Sequence, residues 1–277
     1  HDQENSMPPL RTIAIAVGAA LFAVSIRAPS LLAQLDYRNL DDGRPVQTED
    51  AYPVERYAFE ALAPYRFESA RGGVRDHVFL PELEFGAFDN VQLAVRAPVV
   101  GAGAGAGTRW GLAGLVLGAL YNLNTESTNL PAFSARADLA LPLGALAGGD
   151  TRVTLKAIAT RSFGSTRLHL NLARGFGGDG SPGALQLAPQ WSASFAADRT
   201  LFRQSLLLVA EIAAFDPDRS QPSEFSAALG ARYQWKTTTV LDLGFGRRIG
   251  NAGPDLSFTF GISHAFAFRG LMPARAH

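Results

Sequence analysis

The chain has 277 residues, 25 basic and 25 acidic side chains, no cysteine and 28 glycines. Hydrophobic residues make up 47 % and charged ones 18 %, too apolar a balance for a disordered chain. The lack of cysteine excludes disulfides, thiolate metal sites and cysteine nucleophiles, and zero net charge gives no global electrostatic reason to bind nucleic acid.

Residues 1–33 read as an N-terminal extension and a signal peptide. Met7 is the expected start, Arg11 supplies the basic region, and an apolar run from Ile13 to Ile26 leads to a cut after Ala33. The run is shorter than the roughly 18–20 residues of a spanning helix. Residues 34–53 are polar and carry Asp41, Asp42, Glu49 and Asp50. They are too irregular for a strand and fit either a periplasmic leader or a plug.

From residue 54 to 269 the chain alternates with period two, the mark of strands with two unlike faces. In Tyr57–Glu68 the odd positions are Tyr57, Phe59, Ala61, Ala63, Tyr65 and Phe67, while Glu60, Arg66 and Glu68 lie on the other face. The pattern recurs down the chain: Val153, Leu155, Ala157 and Ala159 oppose Arg152, Thr154 and Lys156. Twelve strands are expected, near 55–69, 77–88, 91–101, 110–123, 130–144, 151–163, 166–175, 184–197, 201–215, 223–236, 238–249 and 255–268. The segments near 110–123 and 201–215 alternate poorly, so the count is open by two. Such lengths match strands tilted through a bilayer, and aromatic residues near strand ends match interfacial girdles. An apolar outer face in lipid forbids an open sheet edge, so the sheet must close. The expected fold is all-β: a single transmembrane antiparallel β-barrel of about twelve strands. Tight turns such as Asp89-Asn90, Gly164-Ser165, Asp198-Arg199-Thr200 and Lys236-Thr237 follow even strands, and longer loops mostly follow odd ones. That parity places both termini in the periplasm. Residues 270–277 form a short tail.

The inward charges are the candidate lumen lining: Glu60, Arg66, Glu68, Glu82, Glu84, Arg96, Arg136, Asp138, Arg152, Lys156, Arg167, Glu211, Arg232, Asp242 and Arg248. Both signs are present, which suits either an ion-pair network filling the barrel or a charged pathway through it. Gly101–Gly107 fits a mobile external loop better than a dinucleotide fingerprint, because no βαβ unit surrounds it. No histidine pair has metal-ligand spacing. Ser263 and His264 are strand neighbours and point to opposite faces. His169 has no serine partner marked by the sequence.

Two stretches carry a resemblance. Arg44-Pro45-Val46-Gln47-Thr48-Glu49-Asp50 leads into Glu55-Arg56-Tyr57-Ala58-Phe59-Glu60, and Leu80–Leu93 reads as a strand, a tight turn and the next strand. In these the chain resembles the outer-membrane barrel family named for the meta-pathway of phenol degradation. The resemblance implies a transporter-like barrel that passes small, sometimes aromatic, compounds, and it transfers no catalytic residue.

The reading is therefore an outer-membrane channel for small molecules, with outer-membrane lipid and a small permeant as its partners and no cofactor. Three alternatives stand beside it. They are a structural barrel closed by lumenal ion pairs, a lipid hydrolase using His169, and a soluble periplasmic β-protein. The sequence sets no oligomeric state.

Overall fold

The computed structural model describes residues 35–104, 108–177, 190–201, 205–216 and 222–271. The expected signal peptide lies outside these residues, as does most of the expected tail. Sixteen strand segments form one antiparallel sheet. They are β1 (Ala58–Leu62), β2 (Tyr65–Ser69), β3 (Val74–Phe79), β4 (Glu82–Phe88), β5 (Val91–Arg96), β6 (Val99–Ala104), β7 (Arg109–Leu112) and β8 (Leu115–Asn124). Then come β9 (Ala132–Leu141), β10 (Arg152–Phe163), β11 (Thr166–Phe176), β12 (Trp191–Leu201), β13 (Leu206–Asp216), β14 (Glu224–Lys236), β15 (Thr239–Arg248) and β16 (Leu256–Ala267).

The ring runs β1-β4-β5-β8-β9-β10-β11-β12-β13-β14-β15-β16 and closes by the pairing of β1 with β16, so twelve staves enclose a lumen. The segments β2, β3, β6 and β7 continue the first four staves past a break. Proline causes three of the four breaks, at Pro64, Pro81 and Pro98, and Gly114 marks the fourth. A proline cannot donate to a ladder. Its carbonyl still accepts: Leu80 N–H donates to Pro64 O at 3.0 Å, Ala97 N–H to Pro81 O at 3.0 Å, and Ala113 N–H to Pro98 O at 2.8 Å. The breaks thus stand side by side, and the sheet bends across them without separating. The period-two pattern continues on both sides, which is why the sequence reads each pair as one strand.

Three expected boundaries move. The third stave, expected to end at 101, runs on through β6 to Ala104, so the first half of the expected Gly101–Gly107 loop is strand paired with β3. The eighth stave is Trp191–Leu201, not 184–197, and Asp198, Arg199 and Thr200 lie inside it instead of forming a tight turn. Asp198 is buried and binds Arg167 and His169 on the neighbouring strand, so a triplet with local turn character is held extended by its partners. The ninth stave accordingly begins at Leu206.

The outer face is apolar along the staves. Leu155, Leu172, Phe195, Ile212, Leu229 and Leu243 are exposed on it, a surface that water would leave unsatisfied and lipid would cover. Aromatic residues gather at its two ends. Phe163, Tyr233 and Trp235 sit at the end with the tight turns, and Trp110, Phe176, Trp191 and Phe225 at the end with the longer loops. Near the closing seam Phe59 stacks on Phe85 and Phe266, with centroids 4.6 and 5.4 Å away.

Candidate functional site

Residues 35–54 do not lie outside the barrel. They run into the lumen from the tight-turn end and return to it before β1. Leu35 N–H donates to Thr237 O at 3.0 Å, beside the turn between β14 and β15. At the other end of the segment Val54 N–H donates to Gln92 Oε1 at 2.9 Å. Between these points Leu40, Arg44, Thr48, Glu49, Asp50 and Ala51 are each at most 3 % exposed.

Buried backbone without a ladder must find other partners, and wall side chains supply them. Thr48 N–H and Oγ1 both reach Glu211 Oε2 at 2.6 Å. Asn171 accepts from Glu49 N–H and donates to Glu49 O. Ala51 N–H donates to Thr160 Oγ1 at 3.0 Å, and Ala51 O accepts from Asn122 and Ser134. The wall is also cut to the segment's shape. A Cβ at Gly244 would overlap the Pro45 carbonyl, and one at Gly230 would lie 2.7 Å from Pro45 Cγ.

Apolar contacts complete the fit. Leu35, Tyr37, Leu40, Val46 and Val54 pack against the inward Ala196, Leu207, Val209 and Val240. Ala51 and Tyr52 pack against Leu120, Ala132 and Ile158. These inward apolar side chains explain why β8 and β13 alternate poorly in sequence: they face the inserted segment, not water.

The charges sort by side. On the wall of β5, β9, β10 and β11 stand Arg96, Arg136, Lys156 and Arg167, and they take the segment's acids. Asp42 bridges Arg96 at 3.0 Å and Lys156 at 2.5 Å. Glu49 bridges Arg136 at 2.6 Å and Lys156 at 3.0 Å. Asp50 meets Arg167 at 3.1 Å. The opposite wall is acidic, with Glu60, Glu84 and Asp242, and it takes the segment's buried arginine. Arg44 binds Asp242 at 2.8 Å and Glu60 at 3.4 Å, besides its own neighbour Asp41 at 2.6 Å. Arg232 also reaches Asp41, at 2.9 Å. Each wall also carries the other sign, Glu82, Asp138 and Asp198 among the bases and Arg232 level with Asp242 among the acids.

Among the expected lumen residues, Glu82 and Asp138 join the basic wall, on Arg96 and Arg136. Glu211 holds Thr48. Arg66 pairs with Glu68 at 3.2 Å beyond the proline breaks, and Arg248 pairs with Asp255 near the loops. Arg152 lies on the lumen-facing positions of β10, level with Ala140. Among the described residues, no hydrogen bond or ion pair joins Arg66, Glu68 or Arg248 to the inserted segment. Beyond the breaks Val78, Leu80, Val100, Ala113 and Leu146 pack into a buried apolar cluster of their own. The sequence reading missed Arg44, whose role depends on acids far along the chain, and left the acids at 41, 42, 49 and 50 without partners.

Two constellations invite a chemical reading. Asp41, Glu60 and Glu84 bring carboxylate oxygens within 4.8 Å of one another. Arg44 lies against Asp41 and Glu60, and Arg232 against Asp41, so guanidinium groups already serve as counterions there. Thr160 Oγ1 lies 3.0 Å from His169 Nδ1, and His169 Nε2 lies 3.0 Å from Asp198 Oδ2. The order resembles a nucleophile–base–acid triad. However, Thr160 is fully buried under Ala51 and accepts its N–H, and the group faces the lumen, not the lipid. As arranged, it seats the inserted segment.

A family model described as "Putative MetA-pathway of phenol degradation" matches residues 44–266. Among solved structures, the chain is similar to an outer membrane channel from Pseudomonas putida F1, at 16 % identity and a TM-score of 0.58, over 83 % of this chain and 100 % of that one. It is also similar to a KdgM porin, at 14 % identity and a TM-score of 0.49, over 74 % of this chain and 99 % of that one. No curated protein matches. The likeness to the channel shows the fold: an outer-membrane type of β-barrel.

Proposed function

Because the chain belongs to the MetA-pathway phenol-degradation family, we propose that it is an outer-membrane channel for small molecules whose resting lumen is stoppered by its own residues 35–54. The observation that carries the reading is the match between plug and wall. Acids of the plug meet the basic side, and Arg44 meets the acidic side. A charge-matched and separately seated segment is a removable element; a barrel meant only to be solid could fill its lumen from its own staves. With the plug displaced, opposed charged walls would orient polar groups of a permeant. A hydrophobic or aromatic permeant is in keeping with the family's description. The tight turns then face the periplasm, the longer loops face outward, and both termini are periplasmic.

The second reading is a barrel that these ion pairs close for good, favoured by the near-complete burial of the plug. A tether separates the two. Thr48 Oγ1 lies 2.8 Å from Ser194 Oγ, so the variant Thr48→Cys/Ser194→Cys can cross-link plug to wall in a chain with no other cysteine. In planar bilayers the wild type and the reduced variant should show conductance events that the oxidised variant lacks. Silence in all three would leave the closed barrel standing and end the channel reading.

A further inference from the structure

Among the described residues, five arginines point outward near the ends of the staves, and they differ in what they touch. Arg174 stacks over Trp191 at 4.4 Å and over Phe176 at 5.6 Å. Arg161 donates to the carbonyls of Ser127 and Thr128. Arg199 lies at the tight-turn end, level with Thr166. Arg75 and Arg247 are at the loop end, exposed, and among the described residues neither forms an ion pair or hydrogen bond.

The register puts these last two on one level of the lipid-facing wall. Arg247 lies one residue beyond the Gly246–Ser257 pair, level with Leu256. Leu256 pairs with Ser69, and Ser69 with Arg75. Three strand spacings separate the two guanidinium stems, about 14 Å. The residues between are Leu256 and Ser69, too short to fill that span. One row nearer mid-wall lies an aromatic shelf of Phe245, Phe258, Phe67, His77 and Trp110. Phe67 and His77 have centroids 5.1 Å apart, and His77 and Trp110 5.5 Å. The acids on the same strands, Glu68 and Asp76, alternate to the lumen side. Asp255, in the loop before β16, is held by Arg248 and by Arg71 at 4.0 Å.

We propose that this face docks a glycolipid of the lipid A class, a disaccharide phosphorylated at both ends, with one phosphate on Arg75, the other on Arg247, and its acyl chains along the aromatic shelf. The proposal rests on the outward orientation of the loop end. A cation on the lipid face costs roughly 2–4 kcal/mol at the midplane and about 0–1 kcal/mol at the interface, so two such residues belong at headgroup depth. Guanidinium groups bind phosphate oxygens in pairs. Two arginines on one level, without an ion pair among the described residues and with an apolar floor beneath them, complement an anion that has two phosphates and a hydrocarbon body.

The test uses the purified full chain in neutral detergent with diphosphoryl lipid A, and native mass spectrometry reads the lipid retained. Arg75→Ala and Arg247→Ala should each weaken retention about fivefold, monophosphoryl lipid A should bind less well than the diphosphoryl form, and Arg161→Ala should match the wild type. Heat-modifiable migration confirms that each variant is folded, and Arg75→Lys/Arg247→Lys should restore part of the binding. Equal retention by the double alanine variant, or equal retention of phosphatidylglycerol, would overturn the proposal. Displacement by millimolar inorganic phosphate would assign the site to a free anion instead and overturn it as well. Detergent has no inner or outer leaflet, so failure here would leave the orientation of the barrel untouched.

Discussion

At the scale of single residues, the plug is held by groups that have no substitute in water. Glu49 is 3 % exposed and serves both Arg136 and Lys156. Glu49→Gln should destabilise the folded chain by about 3 kcal/mol, the lower end of the usual loss for a broken buried pair, because Arg136 keeps Glu82 and Asp138. Denaturant titration in detergent checks the loss, and more frequent openings in bilayers should accompany it. Gly244 tests shape instead of charge. Gly244→Val removes no charged group but drives a side chain into the Pro45 carbonyl and Thr259 Oγ1. It should cost about 1–3 kcal/mol and raise conductance while the barrel stays folded. A variant that is destabilised yet electrically silent would argue that the plug does not control passage. The sequence named Glu49 as one acid among several. It gave no sign that Gly244 was special, since a glycine's use here is the close approach of a segment some two hundred residues earlier.

At the scale of elements, plug and strands explain each other. Strand β10 presents Lys156, Ile158 and Thr160 to the lumen, and the plug answers with Asp42 and Glu49, then Ala51. The poor alternation of β13 likewise reflects Leu207 and Val209 turned inward onto Leu40 and Val46. The plug's last turn is tied to the loop between β8 and β9. Tyr52 Oη donates to Glu126 at 3.2 Å, and Ser162 N–H donates to the same carboxylate at 2.7 Å. Burial opposes ionisation of Glu126, but these hydrogen bonds and the Arg161 charge outweigh it and hold the carboxyl below its usual range. A carboxyl depressed in the folded state stabilises above the unfolded value, about 4.3, and that contribution is lost as pH falls through the lower folded value. The protection of the Ser162 amide, measured relative to its intrinsic exchange rate at each pH, should therefore fall on acidification below that range in the wild type, and in Glu126→Gln it should stay constant over the same interval.

At the scale of the whole molecule, cysteine labelling reads which way the barrel sits. The absence of native cysteine makes the measurement clean. A single cysteine at Gly72, in the turn between β2 and β3, should react with a membrane-impermeant maleimide on intact cells, and one at Asn90, in the tight turn between β4 and β5, should react only after lysis. The reverse pattern would invert the barrel and place the arginine level of the loop end in the periplasmic leaflet. By itself the sequence determined the closed all-β architecture and a count near twelve staves. Period-two alternation is a local property, and lipid on one face forbids an open edge whatever the partners are. Only the tertiary structure decided that residues 35–54 turn into the lumen, that Asp198 continues a strand, that three prolines and a glycine break four staves in register, and that Thr160, His169 and Asp198 meet. Each of these depends on partners brought together by closure of the ring, such as Arg44 with Asp242 or Glu49 with Arg136, and no spacing along the chain encodes which inward charge will face which.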